Sequence, residues 1–521
     1  MIHPQTDHRR RLAPMAAFAA SLALVAACAT TAPTTAPGPV TAQPIAVAPA
    51  TPDPTSPPTP EPTPQPVAMV PVVGFWSATA GISRADLDAA LAGTSKTFRR
   101  VLVAGSWPGA TPATAEEIRA AVNSDPRTLG LLPAAEVTPD VHALAVDGAE
   151  LFGNGRLRSL AGWPLLMPGS ALETAAGGAR SAFDPASTWT LVAGGDVMLD
   201  RMPWVRMVQR RAGPDFAWDG GYAEITGYAC CNEMGNRLPV ARRAGGAGAL
   251  RALFRDADLA VVNLEGPAVD DFTYHADGYV FTMDPSLLQG LADAGIDAVT
   301  VANNHIGNAG PSGVVETLRH LDEVGLAHVG AGANLAAARA PAWFDVGGRR
   351  VALFGYDAIR PGYHATATRA GSAGLDSARY RADIAAARTA GADVIVVLPH
   401  WGVEYTAAPT ATERSAARGL VAAGADLVLG SHSHWAGATE WIDGRPVFYS
   451  MGDLVFALRQ SPETLEGLIV EATFAGSHLV QLRLHPTLIL ELVQPNLLDP
   501  GGDGAAVIER MRRASAGLRP Q

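Results

Sequence analysis

Between Gly194 and Met451 the chain repeats one pattern: an apolar run of strand length followed at once by a short polar island. Five islands stand out: Gly194-Gly195-Asp196, Asn263-Leu264-Glu265, Asn303-Asn304-His305, His400-Trp401-Gly402 and Gly430-Ser431-His432-Ser433-His434. Helical stretches at 285–294, 311–324, 377–390 and 412–423 alternate with strand candidates at 188–192, 259–262, 298–301, 351–355, 394–398, 427–429 and 447–449. That alternation predicts an α/β fold with helices covering the sheet faces. Residues just past the ends of such strands collect on one edge of the sheet, so the islands form the candidate active site. Two later runs, Leu468–Phe474 and Val480–Leu484, read as an antiparallel appendage.

The chain has 521 residues, 48% of them hydrophobic, which predicts more than one domain with ample cores. Its formal net charge of -11 argues against an unaided grip on nucleic acid, because phosphate binding needs a basic face, so no nucleic acid partner is expected. His8-Arg9-Arg10-Arg11 followed by the apolar stretch Ala16–Ala27 reads as a secretory leader. Its end, Val25-Ala26-Ala27-Cys28, resembles the lipobox of bacterial lipoproteins, which implies cleavage before Cys28 and its lipidation. The expected location is extracytoplasmic, on the membrane through that anchor. The alternative is an ordinary secretory signal.

Residues 29–68 are rich in Pro, Thr and Ala and read as an extended linker. Residues 69–185 read as a small α/β domain in the order β-α-β-α-β, with Ser83 capping a first helix and Pro71 pointing to an edge strand. That order resembles one lobe of a periplasmic solute-binding protein; an accessory domain without a ligand is the alternative. Residues 188–518 form the larger domain. Cys230 and Cys231 can close a vicinal disulfide or remain two thiols, and adjacent cysteines do not suit a zinc site.

The islands carry ligand chemistry. Asp196 sits in a glycine-flanked turn where backbone can approach a ligand and where a carboxylate suits a divalent cation. Asn263 and Glu265 share one face of an extended segment while Leu264 points into the core. Asn304 offers a hard, neutral oxygen, and His305 a metal ligand or a general acid. His400, His432 and His434 end two strands, and imidazoles brought to one side there can hold metal. Each residue alone has an ordinary structural reading as a turn cap, a solvated carboxylate or a satisfied histidine. The full set at successive strand ends does not.

Gly195-Asp196-Val197-Met198-Leu199, Val262-Asn263-Leu264-Glu265-Gly266-Pro267, Ala302-Asn303-Asn304-His305, His400-Trp401-Gly402-Val403-Glu404-Tyr405, Gly430 to His434, and Tyr449-Ser450-Met451-Gly452-Asp453-Leu454-Val455-Phe456 occur in that order. The ordered set resembles the CapA family of capsule, or poly-γ-glutamate, synthesis proteins. That family is similar in fold to the calcineurin-like metallophosphoesterases, which implies a β-sandwich with helices outside. The resemblance implies that Asp196, His400, His432 and His434 are metal ligands, that Glu265 bridges, and that Asn304 holds a second ion. It makes His305 the catalytic residue that assists the leaving group.

One or two divalent ions, Mn, Fe or Zn, are the implied cofactors, and metal-dependent hydrolysis is the implied activity. Neutral imidazole ligands would make activity fall below about pH 6. An anionic envelope polymer or its precursor, with other capsule-synthesis proteins, would be the partners. A non-catalytic surface scaffold that guides such a polymer is the alternative. Two positions depart from the pattern: Met198 stands where phosphoesterases place the histidine of Asp-x-His, and Asn308 stands where the family places an acidic residue.

Overall fold

In a computed structural model the described residues are 66–167 and 183–518, and all of them belong to one compact unit. The expected leader, Cys28 and the expected linker up to residue 65 lie outside the described residues. Among those described, no helix is long and apolar enough to cross a membrane.

The first sheet is built from β1 (Val67–Gly74), β2 (Arg100–Val103), β3 (Thr128–Pro133) and β4 (Val141–Ala143), in the order β2-β3-β1-β4. Its helices α1 (Arg84–Leu91) and α2 (Ala115–Ser124) begin where the sequence places caps. Ser83 accepts the Asp86 amide, and Thr114 forms a reciprocal capping box with Glu117. β1 starts at Val67, inside the stretch whose composition reads as linker.

The edge position expected from Pro71 is not found, because β1 has neighbours on both sides. On one side β4 pairs only with Val72–Gly74, and a short strand at 166–167 pairs only with Val67 and Ala68. Pro71 falls in the gap between them, where no partner needs its missing N–H.

The larger part contains two sheets. β5 (Thr188–Val197), β6 (Leu259–Leu264), β7 (Ala298–Thr300) and β8 (Ala327–Val329) run parallel as neighbours. β9 (Ala342–Val346), β10 (Arg349–Asp357), β11 (Val394–His400), β12 (Leu427–Leu429), β13 (Thr439–Ile442) and β14 (Arg445–Phe448) form the other sheet. Its order is β9-β10-β11-β12-β14-β13, antiparallel at both edges.

β15 (Asp453–Val455) pairs beside the end of β5. β16 (Glu466–Ala475), β17 (His478–Leu490) and β18 (Gln494–Leu497) then complete the β5 sheet in the order β8-β7-β6-β5-β16-β17-β18. The run expected as an appendage is therefore a central strand: β16 pairs antiparallel with β5 from Thr188 to Ala193.

Alternation along the strands sorts the side chains between layers. Leu191, Ala193, Leu259 and Val261 from one sheet meet Val351, Leu353, Val394 and Val396 from the other in a core between them. Their neighbours point outward. Val192 and Val262 pack under α3 (Ala249–Arg255), α4 (Leu288–Asp293) and α5 (Gly310–Glu323) through Phe254, Leu291 and Leu321. Ala352, Ile395 and Val397 pack under α6 (Ser377–Thr389) and α7 (Ala411–Ala423) through Ile384 and Leu420. The fold is thus an α/β sandwich of two sheets with helices outside, the layer order that the family resemblance implies. A last helix, α8 (Ala505–Ser515), closes the chain against the inter-sheet core with Val507 and Met511.

The first sheet is bonded onto β17. The Gln481 side chain accepts from the Ala143 amide at 3.0 Å and donates to the Ala143 carbonyl at 3.4 Å, as the backbone of a neighbouring strand would. Val480 packs into the first sheet's core. Cys230 and Cys231 form a vicinal disulfide between the two strands of the hairpin 223–243.

Candidate metal centre

All seven candidate site residues between Asp196 and His434 converge where β5, β6, β7, β11 and β12 end. Asp196, Glu265 and His434 bring ligand atoms within 4.8 Å of one another. Beside them His400 Nε2 lies 2.7 Å from Asn304 Oδ1 and 3.8 Å from Glu265 Oε1, and its ring centre is 4.8 Å from that of His432. His305 Nε2 is 3.7 Å from the same Glu265 oxygen. Glu265 thus stands between Asp196 and His434 on one side and His305 and His400 on the other.

Local sequence explains the placement. A Cβ on Gly195 would lie 1.8 Å from the Gly452 carbonyl oxygen, so only glycine admits this approach. The glycine expected to let backbone approach a ligand instead lets in the segment 451–453: the Asp196 amide donates to Gly452 at 3.0 Å, and Asp453 pairs with Asp196 in register. Asn263 and Glu265 are both buried in the site while Leu264 packs in the core. Asn303 donates to the Leu264 carbonyl at 2.8 Å and tethers the loop after β7. His432 and His434 adopt φ of 96° and 59°, a left-handed backbone in which non-glycine residues are uncommon, and this bend turns both rings into the site.

Two neighbours hold Asp196 in place, and one of them also reaches His400. Asn263 Nδ2 donates to Asp196 Oδ1 at 2.8 Å and stands 3.3 Å from His400 Nδ1. The His432 backbone amide donates to Asp196 Oδ2 at 3.2 Å.

Burial dominates the electrostatics. It raises Asp196 and raises Glu265 well above the ordinary carboxylate range, with nearby Asp196 adding to the effect on Glu265. It drives His400 well below the usual imidazole value, with His432, His305 and His434 close by, and lowers His432 to about 3. His434 goes the other way. Burial alone would lower it, but Asp453, 2.8 Å from its Nδ1, together with Glu265 and Asp196, pushes it up to about 10. Burial also lifts Asp453 to about 7 despite His434. Without an ion, this side of the site therefore holds at least one proton at neutral pH.

The residues fit a divalent cation. Both oxygens of Glu265, Asp453 Oδ2 and His432 Nδ1 are buried without a hydrogen-bond partner. Buried acceptors left bare cost free energy, and a cation is what an aspartate, a glutamate and imidazoles at this spacing would satisfy. Asp196, Glu265 and His434 would hold one ion; Glu265, Asn304, His400 and His432 would hold a second.

His305 is oriented by Asn308. Asn308 Nδ2 donates to the Phe281 carbonyl at 3.1 Å and lies 3.0 Å from His305 Nδ1, while the Tyr363 hydroxyl donates to Asn308 Oδ1 at 3.4 Å. With the amide presenting its nitrogen, His305 Nδ1 must accept, and the imidazole proton sits on Nε2, facing Glu265. Phe281 stacks on the ring at 4.2 Å. Burial, with His434, Arg201 and Arg360 nearby, lowers His305 to about 4 and keeps it neutral.

Asp453 and Asn308 have site roles that the sequence reading did not assign. Asp453 follows the apolar run ending at Tyr449, so the strand-end rule would have found it as a sixth island. Asn308 carries no such signal, being set by the turn after His305. Met198 lies buried in an apolar cluster with Phe281, Phe456 and Ile489.

The model of a bacterial capsule synthesis protein family, PGA_cap, matches residues 190–458. The chain belongs to this family. Residues 190–458 run from β5 past β15 and enclose every candidate ligand.

A capsule biosynthesis protein CapA of Bacillus anthracis is 32% identical over 173 residues, which cover 32% of this chain and 42% of that protein. A PGA biosynthesis protein CapA of Bacillus subtilis is 31% identical over 208 residues, covering 39% and 54%. The chain thus spans about half the length of these two relatives. A probable polyglutamine synthesis accessory protein of Mycobacterium tuberculosis is 31% identical over 282 residues, covering 51% and 74%. Among solved structures, a 5'-nucleotidase precursor from Thermus thermophilus superposes with a TM-score of 0.34 at 15% identity, covering 64% of this chain and 59% of that one. The calcineurin-like phosphoesterase YfkN from Bacillus subtilis does so with 0.32 at 12% identity, covering 64% and 97%. At those scores the fold rests on the two-sheet topology itself.

Proposed function

We propose that this PGA_cap family member is an exported, lipid-anchored hydrolase of capsule or poly-γ-glutamate biosynthesis. It uses one or two divalent ions, Mn, Fe or Zn, to cleave a bond in an anionic envelope polymer or its precursor. The observation that carries this reading is Glu265, whose two buried oxygens have no partner and face Asp196, His305, His400 and His434. A divalent cation bound there supplies Lewis acidity to a phosphoryl or acyl oxygen.

The chain's own residues do the rest. His305 Nε2–H donates to the leaving-group oxygen, and Asn308 keeps the proton on that nitrogen. Phe281 fixes the ring plane and shields it from water. Asn263 keeps Asp196 turned toward Glu265. The names of the relatives support the pathway, and the leader ending at Cys28 supports the anchor.

One observation favours a second reading, a scaffold that binds metal without turnover: Met198, where the phosphoesterase pattern has a histidine, is packed among apolar side chains. The test is metal content together with hydrolysis of a phosphodiester and of a γ-glutamyl amide, by wild type and His305→Ala. Bound metal with activity that falls about a hundredfold in the variant supports the hydrolase. Equal activity in both, or none with metal bound, overturns it and leaves the scaffold.

A further inference from the structure

Away from the metal centre, where the first sheet meets β17, lies a cavity of about 470 Å³. Phe75, Trp76, Leu482, Leu484, Leu498 and Ile508 supply its apolar lining. Apart from Tyr222, every residue lining it falls outside the family-matched segment. Its volume is in the range of small-molecule sites, roughly 300–1,000 Å³.

The cavity's charges are already answered. Glu150 pairs with Arg483 at 2.6 Å, His485 pairs with Glu471 at 2.7 Å, and Asp499 accepts the Gly501 amide at 3.0 Å. His142 is the exception. It stands on β4 opposite Val73, and its Nε2 is buried without a partner. Burial, with Arg483 close by, lowers it to about 4, so at neutral pH the ring is an uncharged imidazole. Among the described residues the Trp76 indole nitrogen makes no hydrogen bond either. Apolar walls, an aromatic side and one bare neutral imidazole describe a ligand with matching parts.

We propose that this cavity binds an uncharged small molecule with an aromatic or alicyclic body and one hydroxyl or carbonyl group, the polar group meeting His142 Nε2. The body packs between Trp76 and the leucines of β17. A polyanion is excluded, because every cation at the site is committed to a carboxylate and the walls would desolvate a charge without compensation.

The test uses calorimetric titration of the full chain with 2-naphthol, naphthalene and naphthalene-2-sulfonate. Saturable one-to-one binding of 2-naphthol is expected, at least tenfold tighter than that of the sulfonate. His142→Phe keeps the volume and removes the polar group, so 2-naphthol should lose about tenfold and bind no better than naphthalene. Ala80→Trp plugs the mouth from an exposed position and should abolish binding without changing the thermal midpoint. Absence of saturable 2-naphthol binding, equal affinity for the sulfonate, or wild-type affinity in a folded His142→Phe or Ala80→Trp variant each overturns the proposal.

Discussion

Burial places a large electrostatic cost on Glu265 in the metal-free chain. Its folded pKa is raised, so it takes up a proton that the unfolded chain releases above about 4.5. The stability this group contributes is complete below that value and is lost as pH rises toward the folded pKa. Glu265→Gln removes the cost and the charge together. The variant is expected to melt no lower than wild type without metal, yet to lose the rise in thermal midpoint that Mn²⁺ gives wild type, because its affinity drops about a hundredfold. A variant stabilised by Mn²⁺ as strongly as wild type contradicts the assignment.

His434 adds a second residue-scale prediction. With its pKa pushed up to about 10 beside Asp453, it must give up its proton to bind a metal. Zn²⁺ titration in weak buffer at pH 7 should release at least one proton as the site at Asp196, Glu265 and His434 fills, and less in Asp453→Asn. The same electrostatics revise the acid limit read from the sequence. His400 and His432 stay neutral well below pH 6, so protonation of these two rings does not set a fall in activity there.

At the scale of elements, the site is made by the close approach of β5 and the segment leading into β15. Gly195→Ala would force its Cβ against the Gly452 carbonyl, at 1.8 Å before relaxation. The expected loss is about 3 kcal/mol, read as a lower urea midpoint, with weakened metal binding as Asp453 moves away from Asp196.

The parallel strands and the helices between them were legible in the sequence, because long apolar runs and clear caps mark them. The convergence of the candidate residues was legible for the same reason: each follows such a run. β16 was misplaced because an alternating, half-polar strand reads as a surface element. Yet Glu466, Glu471 and Thr473 are buried, and Glu471 is satisfied by His485 and the Asn154 amide. Pro71 misled because pairing gaps are a property of the partner strands. Asn308 was legible only as a departure from the family pattern, because its role depends on which amide atom faces His305, and this is fixed by Tyr363 and Phe281, distant in sequence.

At the scale of the molecule, a polar seam joins the first sheet to β16 and β17. Burial alone would raise Glu471, but the hydrogen bond from His485, the charge of Arg483 and the Asn154 amide hold it at about 2. This contribution is present above pH 4.5 and is lost as pH falls through about 2, on the order of 3 kcal/mol in all. His142, facing Arg483, His485 and Glu471, is lowered to about 4, so the native state also loses ground as pH drops from 6.5 toward that value. Acid should therefore weaken the whole unit in two stages, and Glu471→Gln should remove the lower stage. Denaturant midpoints from pH 7 to pH 3 that show no difference between Glu471→Gln and wild type contradict this.

The central claim is that one cluster of strand-end residues holds divalent metal. Crystals of the full chain grown with Mn²⁺, measured for anomalous scattering, test it most directly. A peak about 2.0–2.3 Å from ligand atoms of Asp196, Glu265 and His434, with or without a second beside Asn304, His400 and His432, is the predicted result. Mn²⁺, Fe and Zn²⁺ data that show no peak at Glu265 would contradict it.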